Sequence, residues 1–237
     1  MSETPFSLED IVARVADVAI DKSGSTQANA SLISSTLAVS TSYTIKGLST
    51  DQSAEKQVIL EFAAATPPLN VIATVIADDY DFNFAVLRLE SRVPWELPSP
   101  LFTLQVPPEG AAWECSYFKS RGQSRARTFG RVKGLAGPIG DRRPLLLTMS
   151  PGQDYPTGAS GAPVVVEGQV VGIVQAQAIN EQGDILQAIL FADIARRLDM
   201  AGSLDVLLEL DEVDLLRRLS LASLYWLLGT SVRKKPH

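Results

Sequence analysis

The stretch from Gly158 to Val174 constrains the fold of this chain more than any other. Two β-branched runs, Val164–Val166 and Val170–Val174, flank a Glu-Gly-Gln turn. Short apolar runs joined by a glycine-containing turn are typical of a β-hairpin. Ser160 stands between glycines just before the first run, where glycine allows a sharp turn and close backbone approach. The stretch therefore predicts a hairpin preceded by a tight serine loop, whose main-chain N–H groups can form an oxyanion hole.

Two other interpretations of this serine are open on the motif alone. The nucleophile elbow of α/β-hydrolases needs a strand directly before the serine and a helix directly after it. Here Asp154-Tyr155-Pro156-Thr157 precedes Ser160, and Pro163 with a valine run follows, so the elbow fits poorly. An ordinary glycine-serine turn before a hairpin fits the motif as well as a nucleophile does. The rest of the chain has to decide.

The remaining pattern predicts an all-β protein. Ser7–Ile20 fits a short helix or, at its end, a strand over Val12–Ile20. Short β-rich runs separated by turn signals are typical of small barrels. The predicted strands are Asn29–Ser34, Thr36–Ser40, Gln57–Ala63, Val71–Ala77, Phe84–Leu89, Ala112–Lys119, Thr128–Lys133, Leu145–Met149, Val164–Val166, Val170–Ala176 and Ile185–Phe191, with a short helix over Ala192–Leu198.

Three prolines near residues 93–100 predict an extended linker between two groups of six strands. We therefore expect two six-stranded antiparallel β-barrels with a C-terminal helical extension. The expected units are an N-terminal barrel over 1–92, the linker over 93–100, a C-terminal barrel over 101–202 and the extension over 203–237.

The order of three motifs resembles that of trypsin-like (chymotrypsin-fold) serine proteases of the bacterial intracellular type. Residues 158–164 are similar to the family's Gly-x-Ser-Gly-x-Pro-Val signature, 37–45 to its histidine segment, and 79–89 to its Asp-x-Ala-Val-Leu-Arg-Leu strand. The resemblance implies that Tyr43 occupies the histidine position, Asn83 the aspartate position and Ser160 the nucleophile position. It also implies a vestigial oxyanion hole at the N–H groups of Gly158 and Ser160.

These replacements predict a catalytically inactive pseudoprotease, because a serine hydroxyl needs a base to take its proton. The chain has one histidine, His237, at its last residue, and tyrosine titrates near ~10. Losing the serine or the histidine of such a triad removes roughly six orders of magnitude of rate. The alternative is an active serine endopeptidase or hydrolase that uses Ser160 with a non-histidine base. Lys46 is the lysine nearest to the relevant segment, but it has no motif around it, and a solvated loop lysine is by far the preferred interpretation.

Several carboxylates invite further hypotheses. By resemblance, Asp154 stands where trypsin has its basic-specificity aspartate and leaves a candidate pocket for a Lys or Arg side chain. Asp78, Asp79 and Asp81 can be interpreted as a metal or acid–base cluster, but a polar loop rim before a strand is the simpler interpretation. We expect no metal and no cofactor.

The net charge of −6 is unevenly distributed. Residues 115–143 carry eight basic residues and one acidic one, whereas residues 1–114 carry six basic and fifteen acidic ones. The basic stretch includes Arg121, Arg125 and Arg127, which could neutralise phosphates. However, few aromatic residues accompany them for stacking, and the chain is acidic overall. Nucleic acid is therefore not the expected partner. The basic stretch is interpreted as a solvated loop or as a surface that binds an acidic protein.

The last 35 residues predict a helix from Asp211 to Leu228 with apolar residues, among them Leu224, Trp226 and Leu227, over most of its circumference. Such a helix either packs on the chain's own barrels or docks on a partner, and both alternatives stay open. The expected partner is a protein or peptide segment, bound by this helix or by the former substrate cleft.

The cellular setting follows from composition and resemblance. The first ten residues lack a basic-then-apolar signal pattern, no apolar run reaches transmembrane length, and Cys115 is the single cysteine. We therefore expect a cytoplasmic protein that does not enter a membrane. The resemblance further implies a scaffolding role in a bacterial signalling or defence complex.

Overall fold

The structure, a computed structural model, describes residues 15–19, 29–34, 36–46, 57–62, 69–91, 101–118, 125–138, 142–175 and 185–200. Six antiparallel strands of the first half pair in the order β1-β2-β3-β6-β5-β4 and close into a barrel. These strands are β1 (Val15–Ala19), β2 (Asn29–Leu32), β3 (Leu37–Ser40), β4 (Gln57–Phe62), β5 (Leu69–Asp79) and β6 (Phe84–Leu89).

Alternating side chains fill this first barrel. Along β4, Val58, Leu60 and Phe62 are buried, whereas Ile59 between them is exposed. This period of two follows from the pleat, which sends successive side chains to opposite faces. The inward residues of β4 join those of β2, β3, β5 and β6 in one apolar core. The first barrel thus has a continuous packed core of its own.

The second half contains β7 (Leu101–Phe102), β8 (Ala112–Phe118), β9 (Arg125–Leu135), β10 (Leu145–Met149), β11 (Pro163–Val166), β12 (Gln169–Val174) and β13 (Ile185–Leu190). Their order is β11-β8-β9-β10-β13-β12-β7, and an additional β11–β12 pairing joins six of them in a ring. The chain therefore has the double-barrel fold that the sequence predicts. One detail differs, because β7 adds a short seventh strand that runs parallel to β12.

The hairpin predicted from the two valine runs is confirmed. β11 and β12 pair antiparallel, and the two residues between them, Glu167 and Gly168, have φ values of 50° and 74°. Two consecutive positive φ values are characteristic of the tight turns that match the twist of a hairpin. The turn therefore closes with Glu167 in a conformation that is uncommon outside glycine.

A third apolar cluster joins the two barrels. It combines Leu37, Val39, Phe82 and Phe84 of the first half with Ile173, Ile189 and further residues of the second half. The second half contributes seven core residues to this cluster, from β11, β12, β13 and the helix after β13. All seven are buried. The two barrels are therefore joined by a continuous hydrophobic cluster.

Two short helices differ from the sequence predictions. Helix α1 (Ser42–Lys46) follows β3 directly and was not predicted, and helix α2 spans Phe191–Met200, slightly longer than the predicted helix. The helix alternative for Ser7–Ile20 is wrong over 15–19, which form β1. No helix in the described ranges is long and apolar enough to cross a membrane. The linker 93–100 and the extension 203–237 lie outside the described residues.

Candidate functional site

The serine loop, which we define as residues 158–162, leads into β11 at the junction of the two barrels. Gly158 and Gly161 have φ values of 89° and 82°, the left-handed region that favours glycine. The Ala162 N–H donates to the Ala159 carbonyl (3.0 Å), and the Gly161 N–H donates to the Val174 carbonyl of β12 (2.8 Å). The loop is thus folded on itself and fastened to the hairpin that follows it.

Asn29 of β2 binds the serine loop from the other barrel. Its backbone N–H donates to the Ser160 carbonyl (2.8 Å), and its side-chain Nδ2 donates to the Gly158 carbonyl (2.6 Å). Its Oδ1 accepts a hydrogen bond from the Phe118 N–H of β8 (3.0 Å). Asn29 is fully buried, so these bonds are shielded from water. The first barrel therefore holds the conformation of the loop that carries Ser160.

Sequence reasoning missed Asn29, and no local signal could have revealed it. Its partners in the serine loop and in β8 stand 89 to 131 positions away, and a polar residue that opens a strand is ordinary. Ser31 on the same strand adds a bond from its hydroxyl to the Gly161 carbonyl (2.8 Å). Both residues are recognisable only once the barrels are placed side by side.

The serine loop has an alternating pattern of used and unused N–H donors. The N–H groups of Thr157, Ala159 and Gly161 donate to backbone carbonyls. Those of Gly158 and Ser160 donate to no group in the described part of the chain, and neither does the Ser160 hydroxyl. Ser160 is half-buried. Two N–H groups in one loop are thus available to an outside acceptor such as a carbonyl oxygen.

Tyr43 and Asn83 are brought together, as the resemblance implies for their positions. The Asn83 Oδ1 accepts a hydrogen bond from the Tyr43 backbone N–H (2.9 Å). Asn83 is 1% exposed and has φ 57°, a left-handed conformation that asparagine tolerates better than most residues. The Tyr43 ring, in contrast, is 47% exposed. The amide is thus a buried support for the start of α1, and the phenol faces outward.

The region around Tyr43 adjoins the serine loop through Ser40. The Ser40 hydroxyl donates to the Asn29 carbonyl (2.9 Å), and a Cβ on Gly161 would lie 3.0 Å from the same hydroxyl oxygen. Ser40 precedes Tyr43 by three residues, a span of at most about 11 Å between Cα atoms. Tyr43, Asn83 and Ser160 therefore belong to one region at the junction of the barrels.

Two of the three aspartates, Asp78 and Asp79 at the end of β5, have separate roles. Asp78 accepts a hydrogen bond from the Ser42 hydroxyl at the start of α1. Asp79 accepts one from the Phe82 N–H (3.0 Å) and pairs with Arg197 of α2 (2.7 Å), whose guanidinium lies 4.7 Å from the Phe82 ring centre. No group of three His, Cys, Asp or Glu side chains suited to a metal ion occurs among the described residues. Asp78 and Asp79 are used to hold the turn against both helices.

Asp154 lies exposed in the loop before Ser160. Burial raises the pKa of Tyr117 of β8, and the charges of Cys115 and Asp154 raise it further. The negative charge of Asp154 thus acts on Tyr117 in β8. Cys115 itself is fully buried, and burial chiefly raises the pKa of its thiol, so it is no nucleophile.

The predicted basic surface is only partly described. Arg125 lies 5.5 Å from the Phe118 ring centre, and Arg127 pairs with Glu114 on the neighbouring strand. Arg127 and Phe129 also line a cavity of about 500 Å³ on the second barrel. Arg121, Leu224, Trp226, Leu227 and His237 lie outside the described residues, as does the side chain of Lys46.

Comparison with known proteins identifies the fold. No family model matches the chain, and no curated protein sequence matches it either. The protease Rv3671c in an inactive form superposes with a TM-score of 0.62 at 18% identity, covering 82% of this chain and 92% of that one. The active form of Rv3671c from M. tuberculosis gives 0.59 at 19% identity, with 85% and 95% covered. The HtrA-type protease AlgW with a decapeptide gives 0.59 at 15% identity, with 84% and 69% covered. At such identities the likeness shows the fold alone: this chain has the double-barrel fold of trypsin-like serine proteases.

Proposed function

We propose that this chain is a pseudoprotease: a trypsin-like fold without peptidase activity that binds a protein or peptide segment in its former substrate groove. Two observations carry the proposal. Asn83 accepts a hydrogen bond from the Tyr43 N–H, and the Ser160 hydroxyl has no hydrogen-bond partner among the described residues. A serine protease of this fold needs a base at that hydroxyl and a carboxylate to orient the base.

The residues in these two places suit neither task. A phenol is not a general base of the kind that an imidazole supplies in this fold, and a neutral amide cannot stabilise an imidazolium. The Tyr43 ring points to solvent rather than lying buried. Asn83 is occupied with the backbone of α1. The loss of activity is thus proposed from the chemistry of the side chains present.

Two backbone N–H groups of the serine loop support the proposed binding role. The Gly158 and Ser160 N–H groups are not used within the described ranges, so they can donate to the carbonyl of a bound segment. An extended segment can add main-chain hydrogen bonds at such a groove without being cleaved. We place the protein in the cytoplasm, in a bacterial signalling or defence complex, with the groove or the region 203–237 as its contact surface.

A fluorophosphonate probe tests the loss of activity, because it reacts only with an activated serine. We expect no covalent labelling of the wild-type protein at Ser160, and none of the Ser160→Ala control. The double variant Tyr43→His with Asn83→Asp returns a base and its carboxylate, so labelling should rise well above wild type. Intact-mass spectrometry measures both results. Stoichiometric labelling of the wild type at Ser160 would establish the alternative, a hydrolase with a non-histidine base.

A further inference from the structure

The outward face of β9 carries a straight row of basic side chains with one aromatic ring at its centre. Thr128, Gly130 and Val132 of this strand are buried, whereas the residues that alternate with them are exposed. Because alternate residues of a strand share one face, these exposed side chains follow each other at about 6.6–6.8 Å. We call them the basic row, which consists of Arg125, Arg127, Phe129, Arg131 and Lys133.

The far end of the row keeps its positive charge. Arg131 donates from Nη1 to the Gly110 carbonyl (3.1 Å), which is a neutral group and leaves the charge of the guanidinium uncompensated. Lys133 makes no hydrogen bond and no ion pair in the described part of the chain. Two exposed cations thus stand side by side on one face of β9 without an acidic partner among the described residues.

The near end of the row is partly neutralised. Arg127 pairs with Glu114 of β8, so its charge is already compensated. Arg125 instead lies over the Phe118 ring, 5.5 Å from the ring centre, and has no acidic partner within the described ranges. A positive charge therefore stands at each end of the row.

Phe129, at the centre of the row, is an exposed ring on a fixed backbone. The residue is 47% exposed. The Gln153 side-chain amide accepts a hydrogen bond from the Phe129 N–H (3.1 Å) and donates one to its carbonyl (2.9 Å). Phe129 borders the cavity of about 500 Å³, which Trp113 and Val165 also line. A ring held in place in this way loses little freedom on binding, so it is a preformed contact for an apolar side chain.

This arrangement matches an extended acidic peptide. An extended chain also presents alternate side chains on one face, with the same spacing of about 6.6–6.8 Å. Carboxylates at alternate positions can therefore face successive cations, and a guanidinium binds a carboxylate through two parallel N–H donors. A bulky apolar residue between the carboxylates then lies on Phe129 beside the cavity.

Two acids beside the row disfavour a nucleic-acid strand. Glu114 and Glu167 both line the cavity next to Phe129. A nucleic-acid strand carries a phosphate at every nucleotide, so it cannot avoid these carboxylates. Strands are moreover bound on several stacking rings, whereas the row holds one. A peptide can place an uncharged residue at this point and acidic residues on either side of it.

We propose that the basic row binds an extended acidic segment of a partner protein, with carboxylates on Arg125, Arg131 and Lys133 and an apolar side chain on Phe129. None of these residues takes part in the serine loop or in the hydrogen bonds that hold it. The row is therefore a second binding surface, which goes beyond the proposed function and does not depend on it.

Nuclear magnetic resonance titration with synthetic nonapeptides tests the row. The probe is acetyl-Glu-Ser-Glu-Ser-Leu-Ser-Glu-Ser-Glu-amide, whose pattern is the same in both chain directions and matches that of the row. Its neutral counterpart has Gln in place of each Glu. We expect the acidic peptide to shift the amide signals of residues 125–133 saturably and to bind about tenfold more tightly at low salt, through three added exposed ion pairs. Equal affinities, or shifts confined to residues 158–161, would overturn the proposal.

Variants then assign the effect to the row. Arg131→Glu and Lys133→Glu should each weaken binding of the acidic peptide about tenfold, whereas Arg131→Lys, which keeps the charge, should retain most of it. Phe129→Ser should weaken both peptides alike, because it removes the apolar contact. Arg88→Glu is the matched control, since it reverses an exposed cation on β6 of the first barrel. Thermal unfolding checks that each variant is folded. Unchanged affinity in both charge reversals would refute the row.

A deoxythymidine pentanucleotide tests the alternative polyanion. Its four phosphodiesters carry as many charges as the acidic peptide, and we expect it to bind more weakly. Tighter binding of the pentanucleotide to residues 125–133 would assign the row to nucleic acid and overturn the peptide proposal. These results do not depend on whether the fluorophosphonate labels Ser160, so the basic row and the pseudoprotease can fail separately.

Discussion

Gly161 shows how strictly single residues fix the serine loop. Its φ of 82° alone disfavours a side chain, and a Cβ there would lie 1.8 Å from the Asn29 carbonyl oxygen. That oxygen belongs to backbone of the opposite barrel, so it cannot turn aside as a flexible side chain would. The loop and β2 therefore pack at a distance that only a hydrogen atom permits.

Gly152 is a matched control for the close packing at Gly161. Gly152 has the same φ of 82°, but no atom lies within 4 Å of its Cβ position. We expect Gly152→Ala to cost about 1–2 kcal/mol of unfolding free energy, the cost of left-handed backbone. Gly161→Ala adds overpacking and should cost at least about 2 kcal/mol more. Urea unfolding of both variants measures the difference; equal losses would show that the backbone conformation alone explains Gly161.

At the scale of elements, β2 acts as a connector as well as a barrel strand. Asn29 satisfies the Gly158 carbonyl and the Phe118 N–H with one side-chain amide, and its own backbone serves Ser160. An amide does this because it carries a donor and an acceptor on one planar group. A carboxylate or an aliphatic side chain of similar size would leave at least one of these buried backbone groups unpaired.

Replacement of Asn29 should therefore be costly. Each buried group that loses its partner costs about 1–3 kcal/mol, so Asn29→Ala is expected to lose about 2–5 kcal/mol of stability. Asn29→Asp keeps the acceptor for Phe118 but opposes oxygen to the Gly158 carbonyl, and should restore only part of the loss. Gln57→Ala on β4, which removes an exposed hydrogen bond to Glu90, is the control and should change stability by less than about 0.5 kcal/mol. Denaturation and hydrogen exchange at the Phe118 amide measure these effects; full exchange protection in Asn29→Ala would contradict the assignment.

Features with a local sequence signal could be predicted, whereas those that depend on contacts between distant segments could not. The β11–β12 hairpin was predictable, because β-branched runs and a Glu-Gly turn are local signals. The neighbourhood of Tyr43 and Asn83 was predictable from motif order, although the contact of the Tyr43 ring with the Tyr80 ring, 4.6 Å between ring centres, was not. Tyr80 and Asn29 depend on contacts between distant segments, and nothing near them in the chain differs from ordinary turn or strand residues. The sequence did not predict helix α1 because its five residues, among them Ser42 and Thr44, are too few to show a helical period.

At the scale of the whole molecule, the shared apolar cluster makes the two barrels one cooperative unit. Leu37, Phe84 and Ile173 are fully or almost fully buried in it, although they come from opposite halves. Exposure of this cluster on separation of the barrels would cost roughly 25 cal/mol for each Å² of apolar surface. We therefore expect the barrels to unfold together rather than in sequence.

A fluorescence experiment tests this cooperativity. Trp113 of β8 is buried and donates to the Thr148 carbonyl (3.0 Å), so it reports on the second barrel once Trp95 and Trp226 are replaced by Phe. Leu60→Ala lies in the core of the first barrel and should lower the stability by about 2–5 kcal/mol. If the barrels are coupled, the Trp113 transition shifts by the same amount as the overall unfolding monitored by circular dichroism. Leu147→Ala in the second barrel is the control that must shift it, and an unmoved Trp113 transition in Leu60→Ala would mean independent barrels.

The Asn29 bonds cross the same junction that a bound segment would occupy. Separation of the two barrels must break the Asn29 hydrogen bonds to Gly158 and Ser160, and the serine loop then loses the bonds that hold its conformation. The conformation of the serine loop therefore depends on how the two barrels are placed against each other.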